Sequence, residues 1–474
     1  MTHTFKGFYK LLLGGVLSAA LLAGCGGGGG GGGSTSDDNN TGGSTYSISG
    51  NVADSSNAAI SGVTVALTGT SSGSTTTDSS GNYTFSGLAD GSYTVTPSMT
   101  DYTFDPSSTA VTVSGANVTG QNFVGSTTSD STPWSVSTID STGDVGDGIS
   151  LIMDSNKKLH ISYIDLSNNA VKYATNSSGS WIISTLHTDS TKGPYSTYIT
   201  VDSNDKVHST YNFYDYDELG NWITAYCNYV TNSSGAWVHS TVVEPGSCGP
   251  LAVDSNNVIH LIYADSQSFV GDYSPAKYAT NASGSWIDSS TLENATNPSI
   301  VLDTNKNVHM SYFYYPDSNN SSDSQIKYAT NASGSWVASV ISNRDIGGDE
   351  FNSIAIDADN KVHICYYGSD VDYQLNYATN TSGVWELFII ENNGGDGWSC
   401  DIAIDSNGKA HISYGASEGL KYATNTGGLW NTTVVDGGIH ISEETSIELD
   451  SDNKIHISYY DSTNDDLKYA TNAP

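Results

Sequence analysis

Apolar and polar residues alternate along most of this chain in short runs separated by clusters of Gly, Asn, Asp and Ser. From Tyr46 to Val124 the runs read YSISGNV, GVTVALTG, GNYTFSGL, GSYTVTP, AVTVSG and QNFVG. A period of two puts successive side chains on opposite faces, so each run predicts a half-buried antiparallel strand and the segment predicts a small β-sandwich. A linker at 125–133 follows, and beyond it the pattern itself repeats. One unit reads SIAIDSNxKxHISYxD, a variable stretch, LKYATNxSGxW and a short apolar run. Trp134, Trp181, Trp237, Trp286, Trp336, Trp385 and Trp430 mark seven copies, spaced 45 to 56 residues apart.

Each copy holds four strand-like runs, as in SLIMD, KLHISYI, AVKYATN and WIISTL, joined by the turn chemistry of DSNKK and TNSSGSW. Four short antiparallel strands per repeat suit a propeller blade, so residues 134–474 predict a seven-bladed β-propeller. A solenoid would need capping repeats at its ends. This array instead opens on a lone strand, Trp134 to Ile139, and stops after a KYATN run with no W-type strand behind it. Pairing the two closes the ring and makes that first strand the outer edge of the blade built from Ile447 to Asn472. The expected fold class is all-β, a prealbumin-like sandwich (46–124) followed by a propeller with overlapping N- and C-terminal closure.

The N-terminus carries Lys6 and Lys10, an apolar run from Leu11 to Leu22, and then Leu22-Ala23-Gly24-Cys25. A charged segment followed by a short apolar one is a secretory signal, too short to cross a bilayer. Its last four residues resemble the lipobox of bacterial lipoproteins. The resemblance implies removal of residues 1–24, lipidation of Cys25 and a membrane anchor; an ordinary signal peptide with an incidental cysteine is the alternative. Gly26 follows the cysteine where an Asp would, in Gram-negative lipoproteins, signal inner-membrane retention, which implies the outer membrane or cell surface. Residues 25–45, Gly-, Ser- and Thr-rich, read as a flexible tether; the glycine run lacks the GK[ST] of a phosphate cradle. In the sandwich, TDSSGNYTFSGLADGSYTV (Thr77 to Val95) resembles the carboxypeptidase regulatory-like domains, implying a spacer module without catalytic residues.

Charge narrows the partners. Fifty Asp and Glu face 16 Lys and Arg, a net charge of −34, which repels phosphate backbones and excludes nucleic acid. An Asp precedes a His by six residues in every repeat: Asp154/His160, Asp202/His208, Asp254/His260, Asp303/His309, Asp357/His363, Asp405/His411 and Asp450/His456. On the second strand of each blade these histidines lie too far apart to share one ion, so each is expected to hydrogen-bond its own Asp across the first hairpin. Two tyrosine series, one after HIS-type runs (Tyr163 to Tyr459) and one in KYATN (Tyr173 to Tyr469), are expected to fill the wedges between blades. The turn TNxSGxW resembles a degenerate Asp-box of sialidase-like propellers. Sialidases hold their substrate with three arginines, and this chain has only Arg344, so that activity does not carry over.

No cofactor is called for. Calcium is left open by the alternating oxygens of Asp357 and Asp359 and of Asp450 and Asp452, although no unit completes a calcium loop. A ligand is expected on the variable rim, where carboxylates interleave with aromatics: Asp215, Tyr216, Asp217, Trp222, Asp272, Tyr273, Asp317, Asp349, Asp396, Trp398 and Glu443. Such a set suits sugar rings. Cys227, Cys248, Cys365 and Cys400 allow three pairings; 227–248 and 365–400 would join neighbouring blades, and buried free thiols are the alternative. The expected function is a binding or adhesion platform for polysaccharide or protein, with a polysaccharide hydrolase or lyase and a calcium-dependent lectin as the other readings. No acid pair is singled out for hydrolysis.

Overall fold

The computed structural model describes residues 44–473, except 55–57, 100–101, 128–132, 217–221, 265–274, 317–323, 343–350, 369–373, 393–397, 429 and 442–443. Strands make up nearly all of its regular structure, and the described residues contain no α-helix. The first eight strands form two four-stranded sheets, one ordered Asn82–Leu88, Tyr46–Ala53, Phe123–Thr127, Tyr102–Asp105 and the other Gly73–Thr76, Thr64–Gly69, Gly91–Ser98, Thr109–Val113. Alternation decides what faces inward: Ile48, Val52, Val65, Leu67, Tyr83, Phe85, Tyr93, Val95, Val111 and Phe123 make one core between the sheets. Gly50 is required where the chain crosses Gln121, because a Cβ there would stand 1.9 Å from the Gln121 carbonyl oxygen.

The remaining strands form seven four-stranded antiparallel sheets. Their first strands, Val145–Met153, Lys192–Val201, Ser247–Val253, Thr296–Leu302, Asn352–Ile356, Trp398–Ile404 and Thr445–Leu449, contact one another in order, and the seventh contacts the first. The ring is therefore closed. The seventh sheet takes its outer strand from the start of the array: Ser135–Asp140 pairs antiparallel with Asp466–Thr471, Thr471 opposite Ser135 and Leu467 opposite Asp140. The predicted closure is the observed one.

The second strand of each blade explains why HISY-type runs lack clean alternation. Leu159–Asp165, Val362–Gly368 and Ala410–Ala416 are buried at every position because each lies between two neighbouring sheets. Each joint between blades has its own apolar cluster. Val171, Tyr173 and Leu186 of blade 1 pack on Ile199, Val207, Tyr211 and Phe213 of blade 2, and Phe313, Ile326 and Ile341 of blade 4 pack on Ile354, Ile364 and Tyr366 of blade 5. Burial of each large side chain contributes about 2 kcal/mol.

Two disulfides, Cys227–Cys248 and Cys365–Cys400, bridge blade 2 to blade 3 and blade 5 to blade 6. These are the pairings that join neighbouring blades. For the first, a sequence separation of 21 corresponds to about 3 kcal/mol of lost unfolded-state entropy. Replacing Cys227 and Cys248 together by Ser should lower the stability from denaturant unfolding by roughly that amount; an unchanged midpoint would show that the bridge does not form.

Candidate functional site: blade joints, central channel and variable rim

The repeated polar residues are built into the joints. In each first hairpin the Asp side chain accepts from the backbone N–H groups two and four residues later, as Asp154 does from Asn156 and Lys158 at 2.8 Å. Position four of the turn is left-handed, occupied by Lys157, Asp205, Asn257, Lys306, Asn360, Gly408 and Asn453. The second Asp oxygen faces the His Nε2 at 3.4 to 4.0 Å in six blades. Sequence spacing alone points to this Asp as the main partner, but the closer contact is another. Each His Nδ1 lies 2.5 to 2.6 Å from a third-strand tyrosine hydroxyl: Tyr173, Tyr229, Tyr278, Tyr328, Tyr377, Tyr422 and Tyr469. Within hydrogen-bond range the Asp contact survives only for His160 and His363 among the described residues.

The relay continues across the joint. Each of these tyrosines meets a tryptophan of the next blade edge-on, ring centroids 4.9 to 5.5 Å apart, from Tyr173–Trp237 round to Tyr422–Trp134 and Tyr469–Trp181. Burial raises the phenols of Tyr173, Tyr229, Tyr278, Tyr377 and Tyr469 to about 12, so they stay protonated and donate to a neutral imidazole. Asp, His, Tyr and Trp thus serve as one interblade latch, used seven times.

A second latch holds some joints. The Asp140 carboxylate accepts from the Lys172 ammonium at 2.6 Å and the Tyr163 hydroxyl at 2.8 Å. Asp436 takes Lys468 and Tyr459 in the same way, at 2.8 and 2.6 Å, and Glu391 takes Lys421 and Tyr414. At the joint of blades 1 and 2, His187 stands in place of the acid, in contact with Tyr211 and Phe213. The turn Asp450–Asp452, considered from sequence for calcium, is bridged instead by the Lys157 ammonium of blade 1, at 3.2 and 2.5 Å. Among the described residues no three His, Cys, Asp or Glu side chains cluster as metal ligands do.

The first strands wall a central cavity of about 290 Å³. Side chains facing the channel hand hydrogen bonds from blade to blade: Ser150 accepts from Ile199 N–H, Ser299 from Ile354 N–H and Ser446 from Leu151 N–H, at 3.2 to 3.3 Å. Asp401 stands where four of the blades have Ser. It accepts from the Ser353 hydroxyl (2.6 Å), Ile447 N–H (2.8 Å), Ile402 N–H (2.9 Å) and the Ser446 hydroxyl (3.1 Å). Burial nevertheless raises its carboxyl.

Two residues further along the seventh inner strand is Glu448, where the other blades have Ile152, Thr200, Ala252, Val301, Ala355 and Ala403. Burial, with Asp401 adding charge repulsion, pushes Glu448 up to about 8. A carboxyl raised in the fold stabilises it most below its unfolded value and loses that contribution as pH climbs through 8. Glu448→Gln, which keeps the shape and discards the charge, should therefore match the parent near pH 4.5 and exceed it by on the order of 3 kcal/mol at pH 9. Chemical denaturation at the two pH values measures the gap, and equal stabilities at pH 9 would contradict the burial of this carboxyl.

The tight turns lie at one end of the blades, so the second-to-third strand connections and the connections between blades open on the other, variable rim. Of the residues expected there, Asp217, Asp272, Tyr273, Asp317, Asp349, Asp396 and Glu443 lie outside the described residues, as does Cys25. Tyr216, Trp222 and Trp398 are placed in strands at that rim, Tyr216 opposite Trp222 in one hairpin. Asp215 accepts from the Tyr226 hydroxyl at 2.5 Å and lies 3.8 Å from Lys192, which sits 4.6 Å above the Tyr226 ring. Sequence reasoning passed over Lys192, Tyr195 and Tyr226. A register shift between Pro194 and Thr197 turns Tyr195 out of the ladder, leaving it 55% exposed beside Tyr214. The departure of GPYSTY from the repeated inner-strand pattern was the available signal.

An all-β protein with a structural sandwich and a seven-bladed propeller, whose repeated chemistry is interblade, is the class these features define. Residues 47–126 match the carboxypeptidase regulatory-like domain, as the Thr77 to Val95 segment suggests. No curated protein matches the chain. Among solved structures it is similar to a catalytically inactive virginiamycin B lyase from Staphylococcus aureus with quinupristin (12% identity, 71% of this chain and 99% of that one, TM-score 0.49). It is similar also to a polysaccharide lyase, an ulvan lyase (11%, 70% and 95%, TM-score 0.48), and to the lectin of Aleuria aurantia with a fucosyl-GlcNAc ligand (12%, 62% and 97%, TM-score 0.41). No residue role passes from them to this chain.

Proposed function

We propose that this is an exported protein, anchored through a lipidated Cys25 at the outer membrane or cell surface, whose propeller is a binding platform for polysaccharide or protein. The sandwich is its spacer. One observation carries the reading. The sevenfold Asp, His, Tyr and Trp residues are spent on joints between blades, so the side chains available to a ligand are the non-repeated ones of the variable rim, such as Tyr195 with Lys192 and Asp215. An exposed aromatic face at Tyr195 and a paired carboxylate and ammonium at Asp215 and Lys192, carried by the same blade, supply the stacking and hydrogen bonding that a sugar ring takes up. A net charge of −34 turns the preference toward neutral glycans and basic protein surfaces.

Full-length protein on a glycan array, assayed in parallel for product release and with and without EDTA, tests the platform. Binding without turnover, weakened by Tyr195→Ala, is expected. Product release would replace the platform with an enzyme, and loss of binding in EDTA would make it a calcium-dependent lectin. Incorporation of labelled fatty acid into the native chain but not into Cys25→Ala tests the anchor.

A further inference from the structure

We propose that the central channel is a second, separate binding site, one that takes a primary ammonium group on a slender aliphatic body, held between Tyr198, Phe351, Asp401, Glu444 and Glu448. The proposal goes beyond the rim reading and does not depend on it. Its first support is shape. The channel offers about 290 Å³, open to solvent, near the lower end of the range of small-molecule pockets. A chain of a few methylenes fits that space, and a folded protein segment does not.

The second support is charge. Among the described residues the cavity lining includes three carboxylates and no Lys, Arg or His. Tyr198, the largest side chain in its layer of the channel, lies within electrostatic reach of Glu444, and Phe351 adds a second aromatic wall. Carboxylates with aromatic faces are the chemistry that receives organic cations.

The third support is Glu448 itself. It lines the cavity yet makes no hydrogen bond or ion pair with the described residues, in a layer whose other positions are Ile152, Thr200, Ala252, Val301, Ala355 and Ala403. A half-buried carboxyl without a described partner costs stability, and nothing in the joints requires one there. A metal ion is the poorer occupant. Calcium needs six to eight oxygens at about 2.4 Å, whereas these carboxylates are spread along the channel and form no ligand cluster; Asp401 is moreover engaged by four protein donors. Separated acids along an aromatic-walled tube match an extended cation.

The probe is putrescine, a diamine, against its neutral counterpart 1,4-butanediol, titrated calorimetrically into full-length protein at pH 6.5 and 8.5. Titratable groups around Glu448 are Asp401, Glu444 and Tyr198 of the cavity lining, which favour a cation as they ionise, and His456, its cross-strand partner, whose affinity for protons burial lowers. Putrescine should bind, at least tenfold more tightly at pH 8.5, with release of a proton at the lower pH; butanediol should not bind. Glu448→Gln, expected to be at least as stable as the parent, should weaken putrescine tenfold or more and abolish the pH dependence. Absence of putrescine binding at pH 8.5, equal binding by Glu448→Gln, or equal binding of butanediol each overturns the proposal. Retained glycan binding by Glu448→Gln would show that the rim is independent of it.

Discussion

Deleting residues 134–140 should cost the propeller most of its stability, whereas removing the sandwich, 46–124, should leave its melting temperature within a few degrees of the parent. The deleted strand closes the seventh blade against Asp466–Thr471, but its side chains hold two further blades. Trp134 meets Tyr422 of blade 6 at 5.4 Å, and loss of a packed Trp costs about 3 to 5 kcal/mol. Asp140, 6% exposed, carries Lys172 and Tyr163 of blade 1. Its removal leaves a half-buried ammonium leaning on Asp165 alone, at 3.2 Å, and strands the Tyr163 hydroxyl, a further cost of about 3 kcal/mol. Together these approach the 5 to 15 kcal/mol that stabilises a typical fold. Thermal unfolding of the two deletions decides it: a propeller that melts normally without 134–140 would mean that the ring does not rely on overlapping its ends. Asp140→Asn isolates the charge from the strand and should cost less, about 1 to 2 kcal/mol.

Why that closure was legible, and the rim was not, follows from where the information sits. Blade number, strand order and ring closure are written seven times over, so each copy corrects the others. The Asp-to-His spacing is constant because both residues flank one tight hairpin. The tyrosine that binds each His Nδ1 lies 11 to 21 residues further on, across the connection whose length varies most, which hides the partnership from spacing. The Trp partner is harder still, since it belongs to the next blade. Asp401 and Glu448 could have been found by reading the repeats as columns. Each is an acid in a column otherwise made largely of small or apolar residues, a departure that repeat symmetry alone does not explain. The rim offers no such comparison: its residues occur once, and the side chains that meet there come from connections unrelated in sequence. Asp215 was picked out as an acid near aromatics, while its actual neighbours, Lys192 and Tyr226, come from two other strands of the same blade.

Acid should unfold this propeller well above the pH at which carboxylates titrate. Burial lowers the affinity of His160, His208, His260, His309, His363 and His456 for protons, more than their aspartates restore it. A histidine depressed in the fold contributes stability that is complete above the unfolded value, near 6.5, and is lost as pH falls below it. Each such group has a limiting slope of about 1.4 kcal/mol per pH unit. Protonation also breaks the latch chemically, because a charged imidazole has no lone pair at Nδ1 to accept the tyrosine hydroxyl. Glu448 acts in the opposite sense over the same window, gaining stability as pH falls from about 8, but it is one group against six. Global charge opposes the effect too: at −34, protonation relieves self-repulsion and should favour the compact state. A steep loss of melting temperature between pH 6.5 and 5, with several protons taken up on unfolding at pH 6, therefore requires the histidine latches. A melting temperature constant across that range, or proton uptake near zero, would mean that the imidazoles charge in place and that Asp, not Tyr, is their effective partner.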